Sequence, residues 1–156
     1  MPRNFKPTNV FLRPDPKFGS MLATKIINKI MLHGKRSTAQ RIFYEAVEKA
    51  NSKLEAESLE EIFEKAIENI RPQVEVRSKR VGGANYQVPR EVKRDRQQTL
   101  AIRWLVSNSR KKKGKPMFER LAEELVDAYN GTGTSVAWKE QIHKMAEANK
   151  AYAHFA

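Results

Sequence analysis

The spacing of apolar residues changes abruptly at Pro72, and this change restricts the folds open to the chain more than any other feature. Before Pro72, three segments repeat apolar residues every three or four positions, as amphipathic helices do. From Val74 to Val88 the spacing drops to two around the Gly82-Gly83 pair, which predicts a β-hairpin. Helical spacing returns after Pro89. The chain is therefore predicted to be mainly α, a single domain of about six helices with a protruding β-hairpin arm between the third and fourth.

Three helices are predicted before the hairpin. The first spans residues 20–34, because Gly34 is well suited to a C-terminal cap. Ser37 with Gln40 matches a capping box and predicts the start of the second helix. Ser58 with Glu61 does the same for the third, which Pro72 ends.

The hairpin, at about residues 73–89, is predicted to turn through a three-residue loop at residues 81–83. The expected cross-strand pairs are Arg80 with Ala84, Ser78 with Tyr86 and Val76 with Val88. In this register one face docks on the helices. The other face stays polar and mostly basic, with Glu75, Arg77, Lys79, Asn85 and Gln87.

Three more helices are predicted after the hairpin. The fourth begins between Lys93 and Asp95 and ends in the basic run at residues 110–115. Pro116 suits the first turn of the fifth, which ends at residues 130–131. The sixth, from about residue 134, is expected to pack through Val136, Ile142, Met145 and Trp138, and residues 151–156 are expected to fray.

Positive charge is concentrated in one part of the chain. Residues 71–118 hold 14 of the 30 basic residues but 3 of the 18 acidic ones, so they carry +11 of the net charge of +12. Residues 20–70 are neutral overall, and residues 1–19 form a proline-interrupted basic extended N-terminal arm ahead of the helical domain at 20–156. So localised a field favours a nucleic acid partner, whose backbone releases counterions on binding. A generic basic surface is the alternative.

Other classes of protein find little support in the sequence. There is no cysteine, and the three histidines are too far apart in sequence to suggest a ligand set. No phosphate-binding, dinucleotide or nucleophile motif is present, so we predict neither an enzyme nor a cofactor nor a metal site. The absence of cysteine suits a reducing compartment, so a cytoplasmic protein is expected. No apolar run is long enough to cross a bilayer.

Candidate RNA-contacting residues are the cations of the basic segment and of the arm. Cations at the start of the fourth helix are disfavoured there unless phosphate is present. A solvated charged face remains the alternative for each cluster. From this clustering the predicted contacts are Arg77, Lys79, Arg80, Arg94, Arg96, Arg110, Lys111, Lys112, Lys113 and Lys115.

The hairpin tip is a second candidate site. Gly82 and Gly83 allow close approach to another backbone, or they form a turn and nothing more. Tyr86 is able to stack on an unpaired base, although packing across the strand pair is the commoner role. Asn85 lies beside it.

Four separated motifs follow one another along the chain. They are Ile26-Ile27, Gly34-Lys35-Arg36 and Ile42-Phe43 as one spaced set, RVGGANYQVP at 80–89, AIRWL at 101–105, and MAEANKAYAH at 145–154. In this order they resemble the small-subunit ribosomal protein seven family, of bacterial or organellar type. The resemblance implies a helical domain that binds the 3′ major domain of small-subunit ribosomal RNA and nucleates assembly of the subunit head.

By position, the same resemblance implies that ribosomal RNA is contacted by Arg3, Lys6, Lys35, Arg36, Arg77, Lys79, Arg80, Arg94 and Arg96. It also implies a location and partners. The hairpin tip would lie near exit-site transfer RNA and messenger RNA at the subunit interface, and neighbouring head and platform proteins would contact the chain. We therefore expect a structural, RNA-binding constituent of the ribosome, cytoplasmic or organellar. Two alternatives stay open: an architectural DNA-binding protein with basic β-arms, and an enzyme acting on nucleic acid.

Overall fold

The computed structural model of the chain describes residues 8–54 and 58–155, and only the backbone of Thr8 and Asn9. The predicted contacts Arg3 and Lys6 lie outside these residues. Six α-helices and one antiparallel hairpin are found within them, which confirms the predicted fold class. The elements are α1 (Met21–Ile30), α2 (Arg36–Leu54), α3 (Leu59–Ile70), β1 (Val74–Val81), β2 (Ala84–Glu91), α4 (Arg94–Lys111), α5 (Met117–Tyr129) and α6 (Gly133–Ala148), with 3-10 helices at Thr8–Phe11 and Lys150–Phe155.

The core lies among the helices and is closed by an aromatic side chain from the arm. Phe43 of α2 and Phe63 of α3 are fully buried, with ring centroids 5.6 Å apart. Phe18 meets Phe63 edge-on at 5.6 Å, so the segment before α1 is packed into the core. Burial of these rings, together with the aliphatic side chains around them, stabilises the helical body.

A buried carboxylate fixes the arm to α2. Asp15 is 1% exposed and accepts hydrogen bonds from the Tyr44 hydroxyl at 2.8 and 2.9 Å and from the backbone N–H of Lys17 at 3.1 Å. Burial, together with the hydrogen bond to Asp15 and its charge, raises the pKa of Tyr44 to about 12. The phenol therefore stays a donor throughout the neutral range, and residues 12–20 are held against the helices.

Two predicted helix ends are wrong. The first helix ends at Ile30 rather than Gly34, because a turn in which Lys35 N–H bonds to Leu32 carbonyl intervenes. Gly34 has φ +74° within that turn, so its role is to reverse the chain before α2. The second helix already includes Ser37, so no capping box forms there. Ser58, by contrast, accepts a hydrogen bond from the N–H of Glu61 as predicted.

The predicted hairpin register is wrong by one residue. The loop is the pair Gly82-Gly83, with φ of +59° and +89°, and Val81 faces Ala84. Two consecutive positive φ angles are the requirement of the two-residue hairpin turn, and glycine meets it at no steric cost. Lys79 therefore faces Tyr86, and Arg77 faces Val88, so cations and apolar residues share one face.

The C-terminal part also differs from expectation. Val136 of α6 is buried, but Trp138 and Met145 are 37% and 38% exposed. The prediction that the last residues fray is wrong for residues 151–155. They belong to the second 3-10 helix, and its aromatic rings pack on the hairpin. Within the described ranges, no helix is long and apolar enough to span a membrane.

Candidate nucleic-acid interface

One carboxylate joins two predicted contact residues at the base of the hairpin. Arg77 on β1 binds Glu75 Oε1 through Nε at 2.7 Å and Nη2 at 2.5 Å. Arg96, in the first turns of α4, binds Oε2 of the same residue through Nη2 at 3.3 Å. The Glu75 side chain is 12% exposed, whereas those of Arg77 and Arg96 are 53% and 38% exposed. We call this arrangement the Glu75 clamp.

The C-terminal 3-10 helix covers part of the hairpin. Tyr86 lies 5.1 Å from Tyr152 and 5.5 Å from Phe155, measured between ring centroids. Lys79 Nζ donates to the Phe155 carbonyl oxygen at 2.5 Å. Tyr86, the candidate for base stacking, therefore has protein neighbours on this face, and these belong to the C-terminal 3-10 helix rather than to the opposite strand.

The hairpin tip stands clear of the body. Gly82, Gly83 and Asn85 are exposed, and no atom lies within 4 Å of where a Cβ would be placed on either glycine. Their conformation therefore comes from the turn, since no neighbour crowds them. Arg80 is exposed beside the tip, and no hydrogen bond or ion pair to it is found among the described residues.

The start of α4 lines a polar cleft with the end of α3. Arg94 shares this cleft with Arg71, Lys139 and His143, and no side chain caps the first turn of the helix. The N–H of Gln73 donates to His143 Nε2 at 3.1 Å. Burial, and to a lesser degree the positive charge of Lys139, lowers the pKa of His143.

A second set of cations lies where α1 and α4 meet. Lys25, Lys29 and Arg103 line a groove of about 410 Å³. Leu12 and Asn28 belong both to this groove and to an adjoining one of about 610 Å³ that holds Arg13 and Arg36. The arm, α1, the Lys35-Arg36 corner and α4 therefore present adjoining basic grooves.

In the basic run at 110–115, two of the cations contact other parts of the protein rather than solvent alone. Arg110 Nη2 donates to the Ile30 carbonyl oxygen at 2.9 Å and so caps the C-terminal end of α1. Lys112 Nζ lies 2.9 Å from Oε2 of Glu124, a fully buried carboxylate that also accepts a hydrogen bond from Ser135. The contact between Lys112 and Glu124 is an ion pair without hydrogen-bond alignment.

The remaining lysines of the run are near the surface. Lys115 pairs with Glu123, and the hydrogen bond between them raises the pKa of Lys115 and lowers that of Glu123. Lys111 Nζ lies 5.3 Å above the Trp138 ring. Lys113 is exposed, with no partner in the described part of the chain.

Sequence reasoning missed several cations that share these surfaces. Lys25 and Lys29 are four residues apart on the polar face of α1, and that spacing is the signal that would have identified them. Arg71 and Lys139 left no such signal, because packing of α3 against α6 brings them together from distant parts of the chain.

Comparison with known proteins identifies the family of the chain. A family model described as ribosomal protein S7p/S5e matches residues 2–150. The chain belongs to this family. The small ribosomal subunit protein uS7 of Symbiobacterium thermophilum is 55% identical over 155 residues, which cover 99% of both chains. That of Chloroflexus aggregans is 56% identical over 142 residues, covering 91% of this chain and 90% of the relative.

Family membership answers two of the questions left open by the sequence. The chain is a ribosomal protein, which agrees with the predicted family, and its family is one of structural ribosomal proteins rather than of enzymes.

The aromatic residues Tyr152 and Phe155, which cover the hairpin, lie beyond the range that the family model matches.

Proposed function

We propose that the chain is a structural RNA-binding protein of the small ribosomal subunit, with no reaction of its own. It would bind the 3′ major domain of small-subunit ribosomal RNA and nucleate assembly of the subunit head. The helical body serves as a rigid platform from which the arm, the hairpin and α4 hold RNA segments that otherwise repel each other.

The observation that best supports this proposal is that α4 supplies cations to three sites. Residues 94–103 contribute Arg94 to the polar cleft, Arg96 to the Glu75 clamp and Arg103 to the groove against α1. The start of α4 bears Arg94 and Arg96 beside one acid, Asp95, and has no side-chain cap, so a phosphate group near this end would be stabilised by the helix dipole and the two cations. Relatives named as small-subunit proteins agree with this reading.

Within this proposal, several of the predicted RNA contacts can be separated by whether they face solvent or bind other parts of the protein. Lys35, Arg36, Arg80 and Arg94 face solvent and are available to phosphate. Arg110 and Lys112 hold the body together, so we assign them a structural role first. The exposed tip would lie near exit-site transfer RNA and messenger RNA, with neighbouring head and platform proteins around it.

The experiment is a comparison of two polyanions at several salt concentrations. The protein should bind a 3′ major domain fragment of small-subunit ribosomal RNA more tightly than duplex DNA of equal length. If about 6 to 8 phosphates are neutralised, log affinity should fall with log salt at a slope of about −4 to −7. Equal affinity for the two would favour the architectural DNA-binding alternative, and a flat salt response would refute phosphate binding.

A triple replacement tests the hairpin directly. Changing Arg77, Lys79 and Arg80 to alanine should weaken RNA binding and leave the helical circular dichroism signal unchanged. Loss of that signal would mean that the three residues act in folding.

A further inference from the structure

A negative charge at the centre of a positive surface requires an explanation. Residues 71–118 contain three acidic residues, and Glu75 is the one found between two candidate RNA contacts. In simple charge terms Glu75 weakens attraction for any polyanion. Its nearly buried side chain and its use of both oxygens show that it has a defined structural role.

The clamp leaves part of each guanidinium free. An arginine side chain has five N–H donors in a fixed planar fork. Glu75 engages Nε and Nη2 of Arg77 at Oε1, and Nε and Nη2 of Arg96 at Oε2, at 3.4 and 3.3 Å. Within residues 8–54 and 58–155, Nη1 of each arginine has no acceptor, and both side chains are partly exposed.

The clamp also joins two separate elements. Arg77 is on β1 and Arg96 is on α4, so without a shared acceptor the like charges of their side chains would repel each other. Because both guanidinium groups bind the carboxylate of Glu75, their separation and orientation are fixed relative to each other. A rigid pair of forks binds phosphates at one matching spacing better than at others, because its side chains lose less freedom on binding.

We propose that Glu75 is a positioning residue that gives the protein selectivity for folded RNA, at the expense of affinity for polyanions in general. The inference rests on the proposed function and deepens it. The ligand is a pair of phosphodiester groups presented at fixed spacing by a folded RNA. An unstructured strand has no fixed spacing and gains nothing from the clamp.

The test is Glu75→Gln, with Glu91→Gln as a matched control. Glu91 ends β2 at the same end of the hairpin and is exposed, with no hydrogen bond or ion pair found in the described ranges. Both variants remove one negative charge, so both should bind poly(U) more tightly, with a salt slope steeper by about 0.7. Only Glu75→Gln should lose affinity for the 3′ major domain fragment, by about tenfold, because its arginines become mobile.

The measured quantity is the ratio of the affinity for the fragment to the affinity for poly(U). Glu91→Gln should leave this ratio within about twofold of wild type, since charge alone acts on both RNAs alike. Equal ratios in Glu75→Gln and Glu91→Gln would overturn the inference. A wild-type protein without preference for the fragment would overturn the proposed function, and the selectivity role would fall with it.

Two further measurements separate positioning from charge and from misfolding. Glu75→Asp keeps the charge but shortens the reach, so the ratio should fall with no gain in poly(U) affinity. In the free protein, nitrogen-15 NMR should show slow exchange of the Arg77 and Arg96 Nε–H protons relative to Arg80. This protection should disappear in Glu75→Gln, and its absence in the wild type would refute the clamp.

Discussion

Two clusters of positive charge that look alike in sequence have different roles in the fold. Around the hairpin and the start of α4, Arg80 and Arg94 have no acidic partner among the described residues. In the run at 110–115, Arg110 caps α1 and Lys112 neutralises a buried carboxylate. A cluster of basic residues is therefore not a binding surface until its internal partners have been identified, and the following measurements test this distinction.

The largest expected effect is at Lys112. Changing Lys112 to alanine leaves the fully buried Glu124 without its cation, and Lys112 itself is 26% exposed. We expect the free energy of unfolding to fall by about 3 kcal/mol, the lower end for breaking a buried pair because of this exposure. Urea denaturation at neutral pH measures it.

Lys113→Ala is the control for that experiment, since Lys113 is exposed and should change stability by less than about 0.5 kcal/mol. If Lys112→Ala were as stable as wild type but bound RNA less well, Lys112 would belong to the binding cluster and the contrast would be lost.

The next effect is on RNA binding. Changing Arg80 and Arg94 together to alanine should make the salt slope shallower by about 1.4 to 1.8, because two phosphate contacts disappear. The free energy of unfolding should change by less than about 0.5 kcal/mol per site, since neither side chain supports the described structure. Binding titrations at four salt concentrations measure the slope. An unchanged slope would show that these cations do not face RNA.

A smaller loss of stability is expected at Arg110. Its replacement by alanine removes the hydrogen bond to the Ile30 carbonyl at 2.9 Å and a longer one to Lys29 at 3.3 Å. The side chain is exposed, so we expect a loss of about 1 kcal/mol. Arg103→Ala is the matched comparison. Arg103 lines a groove, and its side chain makes no hydrogen bond or ion pair with the described residues. Equal stability of the two variants would argue against the cap.

The smallest effect concerns the surface pair of Lys115 and Glu123. The hydrogen bond between them lowers the pKa of Glu123, so its contribution is complete above the ordinary carboxyl pKa and disappears as the pH falls through the lowered value. The raised pKa of Lys115 gives a contribution that disappears as the pH rises through that value. NMR titration of the Glu123 carboxyl carbon should show an ordinary pKa in Lys115→Met. A shift that persists would assign it to other neighbours.

Apolar spacing predicted the number of helices and the place of the hairpin, because each amphipathic segment must bury one face whatever its neighbours are. The hairpin register could not be predicted in this way. A loop of two or of three residues leaves the same apolar residues in each strand, and the positive φ angles of Gly82 and Gly83 decide between them.

The candidate site was predictable in location but not in detail. Charge density pointed to the hairpin and α4 because cations accumulate there in sequence. Which cations are engaged internally depends on contacts between distant residues, such as Arg96 with Glu75 and Lys112 with Glu124. The polar cleft was missed for the same reason, since Arg71 and Lys139 meet only after α3 and α6 pack.

The packing of Tyr152 and Phe155 on Tyr86 has a practical consequence for anyone labelling this protein. A dye or affinity tag attached after Phe155 would be placed beside the hairpin. A bulky attachment there would disturb the packing of Tyr152 and Phe155 on Tyr86. An extended, hydrophilic spacer is therefore the better choice for immobilisation, and a small fluorine probe on Tyr152 is the better sensor.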